Sequence, residues 1–154
     1  MKKSTKQLAL SQIDKNMRRL NPLRDFVAPR QGWINAIRTS INMTLVQLAK
    51  RLRKTPVAVR EMEQREMDKS ITLKKLIEVG DALDCNFVYG FVPKESSLRA
   101  MVDKRILTVA REIVMRTAHS MELEDQRNRE ERLEEAIGEL AAKLKREVPR
   151  YVWD

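Results

Sequence analysis

Apolar positions recur three and four residues apart over most of this chain, the spacing that gathers side chains on one face of an α-helix. Residues 4–20 place Leu8, Ile13, Met17 and Leu20 near one face, with Lys6, Lys15, Arg18 and Arg19 mostly elsewhere. Asn21-Pro22 should end that helix, and Pro29 to Gly32 mark another break. From Trp33 to Asn42, Ile34, Ile37 and Ile41 predict a short helix. Thr44 is the N-cap of a second, with Leu45, Leu48, Ala49 and Leu52 as its apolar side and Arg53-Lys54 as the turn. Thr55 as cap and Pro56 in the first turn predict a third from Pro56 to about Gln64, with Val59 and Met62 inward. Thr72 opens a fourth, whose buried stripe is Leu73, Leu76, Ile77, Gly80 and Leu83.

The period changes at Phe87 to Val92, a short aromatic and β-branched run stopped by Pro93, which predicts one buried strand. A lone strand needs a partner for its hydrogen bonds, and the same segment of a second subunit would supply it, which makes a homodimer an expectation. Ser96 or Ser97 caps the next helix, striped by Leu98, Val102, Ile106, Val109, Ile113 and Met121. After the charged stretch Glu122 to Glu131, Leu133, Ile137, Leu140 and Leu144 repeat at four and three until Pro149. So short a seam must pack on the preceding helix or on a partner. The fold class expected is therefore all-α, with one short β segment and a long-helix C-terminal extension.

Charge divides the chain further. The formal +9 lies entirely in the first 70 residues, since residues 71–93 sum to −1 and residues 94–154 to 0. A basic half joined to a neutral half suits a polyanion-binding module beside an interaction module. The divisions expected are a basic helix and arm at 1–31, a compact helical domain with the short strand at 32–93, and a helical dimerisation or partner-binding region at 94–154. The arm is either a frayed end or a contact to phosphates. Apolar runs fall far short of the roughly 20 residues that span a bilayer, and no apolar signal segment follows the basic N-terminus. A cytoplasmic protein with no membrane partner is expected. One cysteine, Cys85, read as buried, and one histidine, His119, make neither a disulfide nor a metal cluster. Without a phosphate-cradling glycine loop or a nucleophile-base set, neither enzymatic activity nor a cofactor is expected. Trp153 is expected to cover the C-terminal helix, the alternative being an exposed anchor for a partner.

The stretch from Met43 to Phe87 resembles the Xre family of lambda-repressor-like helix-turn-helix domains. The matching positions are Leu48-Ala49 and Leu52, Thr55 at the turn, Val59, Met62 and Glu63, then Leu73, Leu76 and Asp81-Ala82-Leu83. Such a pair of helices presents the N-terminal half of its second member to a DNA major groove. The outward residues are Thr55, Pro56, Val57, Ala58, Arg60, Glu61, Gln64 and Arg65, with Thr44 at the start of the preceding helix. By the family pattern, Pro56, Val57 and Glu61 fall where bases are approached. Val57 and Ala58 suit thymine methyls, Glu61 a cytosine amine, and Arg60 and Arg65 phosphate or guanine. Three positions depart from the pattern: Leu45 stands where many members have Gln, and Arg53 and Arg65 where glycine is usual.

Over nearly its full length the chain resembles the "mobile mystery protein A" family. The resemblance rests on the order of basic helix, Xre-like domain, the run Phe87 to Pro93, Ser120 to Gln126 in a long helix, and the ending Val152-Trp153-Asp154. It implies a sequence-specific transcriptional repressor and antitoxin that binds double-stranded operator DNA and autoregulates its operon. The alternative it implies is an inhibitor that neutralises a Fic-domain AMP-transferase toxin. Ser120-x-x-x-Glu124-Asp125 is similar to Fic inhibitory helices at Ser120 and Glu124 and departs from them at Asp125.

Overall fold

Four hydroxyl side chains start helices where the local sequence places them. In the computed structural model, which describes residues 2–118 and 126–154, with side chains from Thr5 to Ala118 and from Arg129 onward, Thr44, Thr55, Thr72 and Ser97 each accept a hydrogen bond from the backbone N–H three residues on. Each such cap contributes about 1 kcal/mol to its helix. Thr44 belongs to a reciprocal capping box, since the Gln47 side chain accepts the Thr44 N–H in return. The helices are α1 (Lys2–Arg18), α2 (Trp33–Ser40), α3 (Leu45–Leu52), α4 (Pro56–Met67), α5 (Leu73–Ala82), α6 (Leu98–Ala118) and α7 (Gln126–Glu147). Short 3-10 turns lie at Asn21–Leu23 and Arg150–Trp153. The fold is all-α.

The chain divides into two compact units, one formed by residues 25–90 and the other by residues 1–24 with 91–154. The internal unit holds α2 to α5 around Ile34, Leu48, Ala49, Leu52, Val59, Met62, Val79 and Leu83. The other unit packs α6 against α7 around Val102, Ile106, Val109, Ala110, Ile137, Ala141, Leu144 and Val152. The Leu133 to Leu144 seam thus finds its partner in the preceding helix, with Ile137 and Leu144 buried and Leu133 and Leu140 half-buried.

The basic N-terminal segment is not a separate arm here. Asp14, buried on α1, accepts the N–H groups of Leu98 (2.7 Å) and Arg99 (3.2 Å) and so caps α6 across 84 residues of sequence. Two of the four donors that a helix start leaves unmatched are satisfied this way. Leu8 and Ile13 remain exposed, while Met17 and Leu20 are half-buried.

Each helix of the internal unit closes in the same manner. Asn42, Arg53, Lys69 and Asp84 take left-handed backbone angles (φ 57, 53, 58 and 54°). The next residue's N–H then reaches back five positions to a helix carbonyl, as in Lys54 to Ala49 and Ser70 to Arg65. Glycine usually fills such a position, because a Cβ there costs about 1–2 kcal/mol. Glycine's own entropy on folding takes back about 0.5–1 kcal/mol. Arg53→Gly is therefore expected to raise the stability of this unit by about 0.5–1 kcal/mol, read from the urea midpoint; an unchanged or lower midpoint would contradict it.

Several sequence expectations are corrected. No strand forms among the described residues: Phe87 to Val92 is irregular, and Val88, Tyr89 and Phe91 are 78%, 70% and 80% exposed. An extended run without a neighbouring strand has no ladder to join. α4 continues to Met67, three residues beyond the expected end. α2 stops at Ser40, which leaves Ile41 past its end and exposed. On α5 the buried stripe runs Val79, Gly80 and Leu83 with Leu76 half-buried, whereas Leu73 and Ile77 sit on its edge, about half exposed. Cys85 is exposed rather than buried; its backbone N–H closes on the Gly80 carbonyl at 2.8 Å after the left-handed Asp84. In the final turn Val152 is buried and Trp153 lies half in solvent. His119 and Met121 fall outside the described residues. Among the described residues no helix is long and apolar enough to cross a membrane.

Candidate nucleic-acid interface

Helix α4 has two chemically different sides. Val59, Met62 and Glu63 are buried and Glu66 is half-buried, a set spaced three and four apart that faces the unit's interior. Val57, Arg60, Glu61 and Gln64 follow the same spacing on the opposite side and are exposed.

The inner side is fixed by two carboxylates. Glu63 accepts the Arg38 Nε–H at 2.7 Å, a second Arg38 N–H at 3.3 Å and the Asn35 amide at 3.0 Å. Arg38 in turn donates to the Met43 carbonyl at 3.0 Å, so this buried pair is fully hydrogen-bonded. Glu66 accepts the N–H groups of Trp33 (2.7 Å) and Ile34 (2.9 Å), doing for α2 what its N-cap, Gly32, has no side chain to do. Gly32 also makes room for that carboxylate: with φ at 79°, a Cβ would lie 2.7 Å from the Glu66 oxygen. Helix α2 is thus tied to the back of α4 at both of its ends, which holds the outer side of α4 in one orientation.

The outer side carries the sequence-predicted residues together. Pro56, Val57, Arg60, Glu61, Gln64 and Arg65 are exposed and Ala58 is half-buried, while the hydroxyls of Thr44 and Thr55 are exposed and occupied as helix caps. Gln64 donates to Asp68 at 3.2 Å, so its amide already has one partner. Glu61 lines a small notch of about 120 Å³ with Lys54, Ala58, Met62, Arg65 and Lys75. A carboxylate among three cations keeps the notch net positive. Ser120 and Glu124, the residues similar to a Fic inhibitory helix, lie outside the described residues.

Flanking cations extend the surface beyond the residues predicted to face DNA. Lys50, Arg51, Arg53 and Lys54, four cations within five residues, end α3 and form the turn, all exposed. Arg51 is held by Asp84 (3.0 Å) and the Ala82 carbonyl, and Lys54 by Glu78 (3.3 Å). Among the described residues, Lys50, Arg53, Arg60 and Arg65 have no acidic partner. The run Lys-Arg-Leu-Arg-Lys is the sequence signal for these flanking positions, part of the basic first 70 residues expected to meet phosphates, with Arg53-Lys54 also marking the turn. Charge is also distributed differently from the expectation by segment. Residues 1–24 carry seven Lys/Arg against one Asp, but they belong to the other unit; residues 25–90 carry eleven against eight. Placement rather than net charge makes the α3–α4 surface cationic: Glu63 and Glu66 turn inward, and Glu78 and Asp84 are paired.

Comparison of the chain with protein-family models, with curated proteins and with solved structures finds no match.

Proposed function

We propose that this protein is a sequence-specific DNA-binding regulator in which α3, the turn at Arg53-Lys54 and α4 act as a helix-turn-helix. The observation that carries this reading is the two-sidedness of α4: its inner side is immobilised by Glu63 and Glu66, while Val57, Arg60, Glu61 and Gln64 stand in solvent beside unpaired cations. Rigid presentation of a short row of mixed polar and apolar side chains is what groove reading requires. Val57 offers a methyl surface to thymine, and Glu61 an acceptor to cytosine. Lys50, Arg53, Arg60 and Arg65 take phosphates, which set register and supply most of the attraction. Acting on its own promoter, such a protein represses.

The test is binding to the DNA upstream of its own gene, measured by fluorescence anisotropy against random duplex over a range of salt. Four phosphate contacts per protomer give a slope of about −4 in log affinity against log salt. Equal affinity for the two DNAs removes sequence-specific regulation.

A further inference from the structure

A cavity of about 450 Å³ lies within the unit built from the two ends of the chain, between α1, the start of α6 and the last turn of α7. Its walls are of two kinds. Leu10, Val102 and Val148 give it an apolar floor, and Lys6 and Arg146 stand at its rim with Glu147. Glu147 has an interaction of its own, whereas among the described residues neither Lys6 nor Arg146 is ion-paired. The volume falls in the range of about 300–1,000 Å³ typical of small-molecule sites, and an apolar body with a few converging polar groups is their usual make-up.

Backbone geometry supplies a second observation. Val148 closes α7 at φ 41°, with its N–H donating to the Leu144 carbonyl at 2.7 Å. This is the left-handed helix closure also made by Asn42, Arg53, Lys69 and Asp84, formed here by a β-branched residue, for which that region is a genuine outlier. Here the strained residue is one that lines the cavity.

We propose that this cavity is a binding site for a small anionic amphiphile, a carboxylate on a short hydrocarbon tail, with Arg146 and Lys6 meeting the carboxylate and Leu10, Val102 and Val148 enclosing the tail. Two cations against one carboxylate disfavour a cationic ligand, and the apolar floor disfavours a fully polar one such as phosphate. A guanidinium presents a planar fork that matches a carboxylate, which makes Arg146 the principal anchor. This site is independent of the DNA-binding surface and stands or falls apart from it.

The experiment is isothermal titration of the full chain at pH 7 with sodium octanoate, 1-octanol and sodium butyrate. Octanoate should bind about tenfold tighter than octanol, the value of one charge-assisted hydrogen bond in a half-open site, and butyrate should bind weakest. Arg146→Ala should erase the advantage over octanol. Leu10→Trp, which fills the cavity from a half-buried position, should weaken both eight-carbon ligands. Lys143→Ala, an exposed change on the same helix, should leave all three unchanged. Octanoate binding no tighter than octanol, or weakened by Lys143→Ala as much as by Arg146→Ala, overturns the site. Arg146→Ala folds as the parent by circular dichroism if its only role is to bind, and parent-like octanoate affinity in that folded variant overturns the site equally.

Discussion

Replacing Glu63 with alanine is expected to destabilise the internal unit by about 3–5 kcal/mol, the cost of leaving a buried charge without its partner. Arg38 would keep only the Met43 carbonyl, and Asn35 would lose its acceptor. The unit spans only 66 residues, 25 to 90. Domains of that size have roughly 5 kcal/mol in hand, so at most about 2 kcal/mol would remain and this unit would be only marginally folded near physiological temperature. Backbone NMR resolves it: on mild warming, amide signals of residues 33–83 should be lost toward random-coil shifts well before those of α6 and α7. An apolar pair, Glu63→Leu with Arg38→Met, should recover most of the loss, because it removes both charges from the interior instead of stranding one. A cost below 1 kcal/mol for Glu63→Ala would show that this pair does not hold α4 in place.

The second large effect is expected on the opposite side of the same helix. Val57 is 67% exposed and lies in the first turn of α4. Glutamate at that position should leave stability within about 0.5 kcal/mol, since surface changes seldom exceed that and a carboxylate near a helix start is mildly favourable. Against a groove lined by phosphates the same carboxylate is repelled by several kcal/mol. Val57→Glu should therefore cost at least about a hundredfold in DNA affinity, which corresponds to about 2.7 kcal/mol. Val57→Thr, close in size and uncharged, should stay within about tenfold. Parent-like DNA binding by Val57→Glu would place the contact surface elsewhere on the molecule. The Glu63 and Val57 variants thus separate what holds α4 from what α4 touches.

Features of the fold that depend on neighbours in sequence were legible before any coordinates. The caps at Thr44, Thr55 and Thr72 act over three residues, and the spacing of Leu48, Leu52, Val59 and Met62 records one helix face after another. The outer row from Pro56 to Arg65 followed by exclusion, because residues on the buried side have no access to a groove. What distance in sequence conceals is different in kind. Nothing near Asp14 announces that it caps a helix 84 residues away, although it is the sole acid among seven cations in its segment. Arg38 and Glu66 likewise look like ordinary surface charges on their own helices until α2 is laid behind α4. The run from Phe87 to Val92 misleads for the converse reason: its β-propensity is a preference for a pleated, half-buried surface, and no second strand among the described residues completes one. Period alone places Leu73 and Ile77 in a core, and a 3.6-residue repeat cannot say which edge of a broad stripe stays wet.

The cap that Asp14 places on α6 bears on how the protein is made. At roughly 5–20 residues per second, the 84 residues between that carboxylate and its partner N–H correspond to roughly 4–17 s of translation. For that whole interval the first helix has left the ribosome with its docking site still unmade. Residues 25–90, in contrast, are contiguous and can close their core as soon as they emerge. The segment synthesised earlier than the internal module is thus seated after it, and a nascent chain presents the cationic residues 1–24 uncovered while residues 25–90 are already folded.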